Sequence, residues 1–275
     1  MRFGMMLMLG CAAMTVPACS EKAATPAAPT GGASAAATAI APPPPPAPPA
    51  PNAAARKVAE ENDLYDFAYA YPAAAAAIPA LRDMLDKDLD KQKAELIRDA
   101  REGQKDARQS GYPFNAYSAS TDWQVVTDLP GWLSMSTILG SYSGGAHPNY
   151  VYDTILWDKT ANQRRAPADL FTSKAALSKA IRAEFCAALN KQRAQKRGEP
   201  VKAGSTAMFE ECIDPVDSTV ILGSAGKQGF DRIGVLVPPY EAGPYAEGSY
   251  EVTLPVNAAV MAAVRPEYRD AFRSR

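Results

Sequence analysis

A proline-rich segment near the N-terminus is the feature that most constrains how this chain can fold. Eleven of the 24 prolines lie in the first 51 residues, and Pro42–Pro46 form an unbroken run. Residues 20–55 are mainly Ala, Pro, Thr and Gly and include no aromatic residue, so they bury too little surface to offset the entropy of ordering. The sequence therefore predicts a disordered tether over residues 19–55, whose prolines favour polyproline II. A ligand for a partner protein is the alternative role of this segment.

The segment before the tether, residues 1–18, has the layout of a secretory signal peptide. Arg2 gives it a basic start, and an apolar stretch runs from Gly4 to Val16. This stretch is too short to span a hydrocarbon core of about 30 Å as a permanent helix. Residues 56–275 contain no long apolar run of the kind that spans a membrane. They can bury a substantial core and are predicted to form the folded domain.

The end of the signal peptide, Val16-Pro17-Ala18-Cys19, resembles the bacterial lipobox, in which the cysteine becomes the acylated first residue. Pro17 departs from the commonest pattern, and Cys11 is a rival acceptor that would leave a very short apolar core. Acyl chains on Cys19 would hold the protein at a membrane, because each buried CH₂ group contributes about 0.8 kcal/mol. Ser20 favours the outer membrane over the inner one. We expect an exported, lipid-anchored protein that faces the periplasm; a soluble exported protein is the alternative.

Charge and residue counts argue against several functional classes. A net charge of −1 gives no electrostatic basis for binding nucleic acid. A single histidine cannot form a multi-histidine metal site. No glycine loop is followed by the Lys-Ser or Lys-Thr pair that a nucleotide phosphate site would require. We therefore predict no metal, no cofactor and no nucleic-acid partner.

The spacing of apolar residues along the folded domain is typical of a strand in some segments and of a helix in others. Four aromatic residues alternate over residues 65–71, which predicts a strand with one aromatic face. Apolar residues at helical spacing predict one helix over about 78–107, with its charged run on a solvated face, and a second from an N-cap at Ser173 to Gln195. Further strands are predicted near residues 133–139, 150–157, 219–222, 232–237 and 249–254. We predict an α+β fold, with a mainly antiparallel sheet or sheets packed with one long N-terminal helix and a second mid-chain helix, in one body or two closely packed lobes.

Two cysteines remain in the folded domain, Cys186 and Cys212. Leftover thiols in an oxidising periplasm usually pair. We therefore predict a disulfide that ties the second helix to the loop near residues 210–215. Closing a loop of about 26 residues would stabilise the fold by roughly 3 kcal/mol. Two unpaired thiols and a redox-active pair are the alternatives.

Three stretches resemble one family of bacterial envelope domains: Ser141–Asn149, Ala168–Phe171 and Val237–Gly248. The first contains Gly-Gly-Ala-His-Pro-Asn and the third Pro-Tyr-x-x-Gly-Pro-Tyr-Ala-x-Gly. Together they are similar to the extracytoplasmic, lysozyme-binding domain of RsiV-type anti-sigma factors and to the N-terminal region of PdaC-type peptidoglycan deacetylases, over nearly all of Asp63–Phe272. The resemblance implies a recognition domain for a cell-wall glycan (peptidoglycan) or a wall-directed protein such as lysozyme. We do not expect deacetylation, because one histidine cannot supply that enzyme's metal site.

Two of these stretches supply the candidate ligand-binding residues. In the first, two glycines permit positive φ and bring backbone N–H groups close to a ligand, and a histidine can donate or accept a hydrogen bond. In the third, tyrosines beside carboxylates suit a sugar or a protein surface. Both stretches also have a purely structural interpretation, as a tight connection and as a turn with packed rings. The candidates are Gly144, Gly145, His147, Asn149, Tyr240, Tyr245 and Glu247.

An enzyme is the weaker interpretation, and no catalytic residue is assigned. A hydrolase built on His147 would need a nucleophile and an orienting carboxylate within hydrogen-bond reach. Neither Ser141 nor Ser143 lies in a Gly-x-Ser-x-Gly motif. Glu241 and Glu247 would act as a glycosidase pair only at a separation of about 5–10 Å. A structural envelope subunit that binds only other proteins is a third interpretation.

Overall fold

A computed structural model describes residues 53–202 and 204–275 of the chain. The predicted signal peptide, the predicted lipidation site Cys19 and all but the last three residues of the predicted tether lie outside the described residues. The first described strand begins at Arg56. Among the described helices, none combines the length and the apolar character that a membrane crossing requires.

Seven of the described strands form the larger sheet. They are β1 (Arg56–Glu61), β2 (Tyr65–Tyr71), β3 (Tyr117–Asp122), β4 (Gln124–Asp128), β5 (Trp132–Tyr142), β6 (Asn149–Asp158) and β7 (Gln163–Arg165). Their order is β1-β2-β3-β5-β6-β7, and β4 also pairs with β5. Every pair is antiparallel except β2 with β3. A parallel pair needs a crossover connection, which the helices α1 (Ala73–Ala76) and α2 (Pro79–Ser110) provide.

Helix α2 covers one face of the larger sheet and corresponds to the helix predicted over about 78–107. Pro79 occupies its first turn, and Gly111, with a φ of 74°, ends it. Three of the four alternating aromatic residues of β2 are buried beneath it and Tyr65 is partly buried, which confirms the predicted aromatic strand face. The main members of this first core are Phe67, Tyr69, Tyr71, Leu81, Leu85, Leu89, Trp123, Leu133, Met135, Ile155 and Trp157.

Two acidic residues of α2 do more than form the solvated face predicted for the charged run. Asp88 accepts a hydrogen bond from Tyr69 Oη at 2.8 Å, and Asp86 accepts one from Tyr71 Oη at 2.8 Å. Burial, together with the hydrogen bond to Asp86, raises the pKa of Tyr71 to about 12. Because a buried hydroxyl needs a partner, these two carboxylates complete the first core.

The second half of the chain forms a smaller, antiparallel sheet with its own helix. Its strands are β8 (Thr219–Gly223), β9 (Arg232–Val237) and β10 (Tyr250–Pro255), in the order β10-β9-β8. Helix α3 (Lys174–Arg197) packs with this sheet in a second core. A short helix, α4 (Ala258–Ala263), follows β10. Ser173 caps α3 as predicted, because its Oγ accepts the N–H of Ala176 at 3.0 Å. The α3 residues in this second core are Leu177, Ile181, Phe185 and Leu189.

Strand β6 joins the two cores because both faces of its C-terminal part, from Ile155 to Asp158, are buried. Ile155 and Trp157 belong to the first core, and Leu156 belongs to the second. Successive side chains of a strand point to opposite faces, so an uninterrupted apolar run is what a strand between two cores requires. Thr219 Oγ1 of β8 also donates to the Tyr152 carbonyl of β6 at 3.1 Å. The predicted α+β fold with a mainly antiparallel sheet is confirmed.

Cys186 and Cys212 form a disulfide, which confirms the predicted pairing. Their Cα atoms lie 5.6 Å apart, and the bond ties α3 to the loop between α3 and β8. Arg182 Nη2, also from α3, donates to the Cys212 carbonyl at 2.9 Å. A covalent bond and a hydrogen bond therefore hold the same loop against the helix.

Candidate functional site

The first candidate loop is the tip of the hairpin between β5 and β6. The last paired residues of the hairpin are Ser141 and Asn149. Between them, Gly144 and Gly145 have φ values of 80° and 120°, at which a side chain would be strained. Tyr142 Oη donates to the Gly145 carbonyl at 3.1 Å. The two glycines therefore have a geometric role in closing the hairpin.

The second candidate loop connects β9 to β10 in the smaller sheet. Tyr240 has a φ of 72°, in the left-handed region that bulky residues rarely occupy. Its N–H donates to the Gly243 carbonyl at 3.0 Å, and a 3-10 turn follows at Tyr245–Glu247. This turn leaves the Tyr240 side chain half exposed, at 50%.

The two loops meet on the surface of the domain. The ring of His147 stacks on the ring of Tyr245, with centroids 3.8 Å apart and planes inclined by 21°. The ring of Tyr240 lies 5.7 Å from that of Tyr245, and Tyr245 Oη donates to the Pro148 carbonyl at 2.7 Å. His147 and Tyr240 are exposed, and Tyr245 is half-buried. We call His147, Tyr240 and Tyr245 the aromatic platform.

Hydrogen bonds engage both ring nitrogens of His147. Nδ1 lies 2.8 Å from the Pro148 carbonyl; because a carbonyl only accepts, Nδ1 carries a hydrogen. Nε2 of the neutral ring can then accept from Tyr240 Oη, 3.3 Å away. Within the described parts of the chain, neither nitrogen bonds to a serine or a carboxylate, and no group of three His, Cys, Asp or Glu side chains could hold a metal. Both ring nitrogens of His147 therefore bond to groups of the two loops themselves.

Glu247 is engaged in an ion pair inside the domain. Two nitrogens of the Arg197 guanidinium, from α3, donate to its carboxylate. Nε lies 2.8 Å from Oε1, and Nη2 lies 3.1 Å from Oε2. Tyr250 Oη also donates to this carboxylate. Burial by itself would raise the pKa of Glu247, but the hydrogen bonds from Arg197 and Tyr250 and the charge of Arg197 outweigh it, and the pKa is lowered. These contacts favour a structural role for Glu247.

Arg193 is not among the residues predicted from the sequence, yet it holds the second loop in place. Its side chain is fully buried, and Nε donates to the Ala242 carbonyl at 2.9 Å. Both terminal nitrogens donate to the Glu211 carbonyl at 3.1 Å, and Asn190 Oδ1 accepts a further bond at 3.0 Å. A signal was present in the sequence, because Arg193 continues the four-residue spacing of the α3 core residues after Leu189.

The remaining predicted residues have separate positions. Asn149 is exposed at the first position of β6, and Glu241 accepts a hydrogen bond from Ser218 Oγ at 2.7 Å. Of the seven candidates, three form the aromatic platform, two shape the hairpin, one begins β6 and one is ion-paired. In that order they are His147, Tyr240 and Tyr245; Gly144 and Gly145; Asn149; and Glu247.

Residues 58–150 match the family model described as Deacetylase PdaC. The matched segment runs from β1 to the start of β6 and includes the His147 loop. It ends before α3, the smaller sheet and the Tyr240 loop. A match to this envelope-type family is consistent with an exported protein. No curated protein matches the sequence.

Two DUF3298 family proteins of known structure are similar to the chain. The one from Bacteroides fragilis is 16% identical with a TM-score of 0.49, and the alignment covers 74% of this chain and 89% of that protein. The one from Pseudomonas aeruginosa is 14% identical with a TM-score of 0.48, covering 82% of this chain and 98% of that protein. The resemblance to RsiV-type domains stays a prediction.

Proposed function

We propose that the protein is an exported, lipid-anchored envelope protein whose folded domain recognises a cell-wall glycan. The signal-peptide pattern of residues 1–18 and the lipobox-like end at Cys19 support anchoring through a lipid. The tether composition of residues 19–55 supports a domain presented away from the membrane, in the periplasm. The observation that carries the recognition role is the exposed aromatic platform.

The platform has the chemistry of a sugar-binding surface. Flat aromatic rings pack on the apolar faces of sugars, and their polar edges hydrogen-bond to hydroxyl groups. The His147 and Tyr245 rings are already stacked, with centroids 3.8 Å apart, and a 2.7 Å hydrogen bond from Tyr245 Oη to the Pro148 carbonyl holds them together. Because rings fixed before binding lose little freedom on binding, this preorganisation favours affinity.

The backbone of Tyr240 supports a binding role over a purely structural turn. A residue with a Cβ in the left-handed region costs about 1–2 kcal/mol, and Tyr240 has a φ of 72°. Glycine would relieve this strain and complete the same turn. Strained residues cluster at functional sites, and here the strain places the Tyr240 hydroxyl 3.3 Å from His147 Nε2.

A wall-directed protein such as lysozyme is the second candidate ligand, and one observation favours it. Ile138 of β5 is half exposed and lies opposite Tyr152 of β6. The rings of Tyr150 and Tyr152 meet edge to face beside it, 6.2 Å apart. Exposed apolar and aromatic side chains next to one another are typical of protein-binding surfaces.

Calorimetric titration of the purified full chain in detergent, with peptidoglycan fragments and separately with lysozyme, tests the proposal. We expect the fragments to bind, and Tyr245→Ala to weaken that binding by about tenfold or more. Val125→Ala is the matched control, because Val125 is exposed on β4, at the end of the sheet away from the hairpin tip. Binding of lysozyme alone would select the second candidate, and binding of neither ligand would reject recognition through this surface.

A further inference from the structure

A groove opens on the face of the β5–β6 hairpin that is turned toward α2. Leu139 and Val151 pair across the hairpin and, by strand alternation, share the face of Met135 and Ile155, which belong to the first core. Val151 is nevertheless 48% exposed, so α2 leaves this end of the sheet uncovered. Two adjoining depressions of about 400 Å³ and 260 Å³ occupy the space. Together they are in the size range of small-molecule sites.

The wall between the two depressions depends on a glycine inside α2. Both depressions are lined by Tyr117, whose ring lies 5.4 Å from that of Phe114. Glycine in the middle of a helix is unfavourable because of its entropy, yet Gly103 occupies this turn of α2. A Cβ at Gly103 would lie 2.6 Å from Tyr117 Cζ. The helix therefore has a glycine, which is unfavourable for helix stability, at the turn where the Tyr117 ring packs against it.

The His147 loop forms the rim of the groove with the residues that the aromatic platform does not use. Gly144 and Gly145 line the smaller depression together with Tyr112, whose side chain is 55% exposed. A Cβ at Gly145 would meet nothing within 4 Å, so the loop backbone is open to a ligand along this rim. The smaller depression thus has an aromatic wall on one side and bare backbone on the other.

The larger depression adds carboxylates and hydroxyls to the lining of the groove. Helix α2 contributes the carboxylates of Glu95 and Asp99, and the hairpin contributes the hydroxyls of Ser141 and Ser143. Carboxylates accept strong hydrogen bonds from hydroxyl groups, and serine hydroxyls both donate and accept. The lining of both depressions, all of it in the described part of the chain, includes no Lys, Arg or His.

Cations outside the groove balance the two carboxylates. Lys91 Nζ lies 4.0 Å from Glu95 Oε1, and Arg98 Nη2 lies 2.9 Å from Asp99 Oδ1. Exposed pairs of this kind contribute little energy, so the carboxylate oxygens stay available while the net charge of the wall is close to zero. An anionic ligand would meet carboxylates without a cation in the lining, and an apolar ligand would leave their hydrogen bonds unmade.

We propose that this groove is a second binding site, which takes an uncharged glycan chain of several sugar residues. The aromatic end around Tyr112 and Tyr117 receives the apolar faces of the sugars. The carboxylates and serines at the other end bond to their hydroxyl groups. This site uses different residues from the aromatic platform, so it does not depend on the platform binding any ligand.

Titration of the full chain in detergent with the tetramer of N-acetylglucosamine tests the groove, and the Tyr245→Ala background separates it from the platform. In that background we expect the tetramer to bind still. Adding Tyr112→Ala, or the pair Glu95→Gln and Asp99→Asn, should weaken binding by about tenfold or more. These side chains are exposed, so the added variants should keep the fold.

Two charged oligomers test whether the groove is specific for an uncharged glycan. A tetramer of galacturonic acid, which is anionic, and tetralysine should each bind at least about tenfold more weakly than the N-acetylglucosamine tetramer. If the wild type binds the tetramer and the Tyr245→Ala protein does not, the groove is overturned and the platform proposal stands; absence of binding to both proteins would also overturn the groove. Tighter binding of either charged probe would also overturn it. Unchanged affinity and stoichiometry between the wild type and Tyr245→Ala would support the groove and count against the platform.

Discussion

The ring of His147 lies face to face with that of Tyr245, at a centroid distance of 3.8 Å. The two residues come from different sheets, since His147 is in the β5–β6 hairpin of the larger sheet and Tyr245 follows β9 of the smaller one. The stack is therefore also a contact between the two halves of the domain. The bond from Tyr245 Oη to the Pro148 carbonyl reinforces it. Ligand binding at this surface is expected to be sensitive to how the two sheets are held together.

Substitution of Tyr240 tests whether its backbone strain serves the platform. Tyr240→Ala removes the ring and keeps the strain, whereas Tyr240→Gly removes both. The glycine variant should have a free energy of unfolding about 1 kcal/mol higher than the alanine variant, and both should weaken the binding of peptidoglycan fragments to the platform to the same extent. Urea denaturation and calorimetry measure the two effects. Equal stabilities would contradict the strain, and retained binding would contradict the role of the ring.

Acid titration of stability tests the ion pair between Arg197 and Glu247. The pKa of Glu247 is lowered in the folded protein, and the unfolded value is about 4.3. Its contribution to stability is therefore present above about pH 4.3 and is lost as the pH falls through the lower, folded pKa. Glu247→Gln should lower the free energy of unfolding at pH 7 by about 2–3 kcal/mol and flatten its fall in acid.

Glu95→Gln is the matched control for this titration. The Glu95 side chain is half exposed, and its Oε1 lies 4.0 Å from Lys91 Nζ, so its loss should change stability by less than about 0.5 kcal/mol. Some acid dependence should remain in both variants, because the pKa of Asp231 is lowered as well. Its burial is outweighed by the N–H of Ala225 and by Arg275. A Glu247→Gln protein with the full acid dependence of the wild type would disprove the assignment.

Removal of the disulfide tests how the loop after α3 is held. Replacing Cys186 and Cys212 with alanine opens a loop with a sequence separation of 26 residues and should lower the free energy of unfolding by roughly 3 kcal/mol. A reductant should destabilise the wild type by the same amount and leave the double variant unchanged. Thermal melts with and without dithiothreitol provide the comparison. A double variant as stable as the wild type would mean that hydrogen bonds such as those of Arg193 hold the loop alone.

Substitution of Cys19 tests the lipid anchor. Cys19→Ala should abolish incorporation of labelled palmitate and release the protein from the membrane fraction of expressing cells. Cys11→Ala is the control and should change neither result. Loss of label in Cys11→Ala instead would assign the acceptor to the rival cysteine. Label retained in both single variants would contradict Cys19 as the required acceptor.

Features that depend on neighbouring residues could be predicted from the sequence. The aromatic alternation over residues 65–71 and the cap at Ser173 each involve only a few consecutive residues, so β2 and the start of α3 follow from local rules. The pairing of Cys186 with Cys212 follows from the predicted compartment and the number of cysteines left in the folded domain. None of these features requires knowledge of which distant segments meet.

Features that depend on distant segments could not be predicted in the same way. The parallel pairing of β2 with β3 is set by the path of α2 across the sheet. Glu247 resembled a free ligand carboxylate because nothing local shows that Arg197, fifty residues earlier, reaches it. Arg193 was visible as a charged residue on an apolar stripe, but the carbonyls that satisfy it come from two other loops.

The sharing of β6 between two cores also limits how this protein can be engineered in pieces. The stretch similar to the PdaC family ends at residue 150, before Ile155, Leu156 and Trp157. A gene fragment cut at that boundary would encode a chain without the strand that closes both interiors. The stretch that matches the family model is thus shorter than the part of the chain that forms the two cores. Any transplant between proteins would have to carry both sheets together.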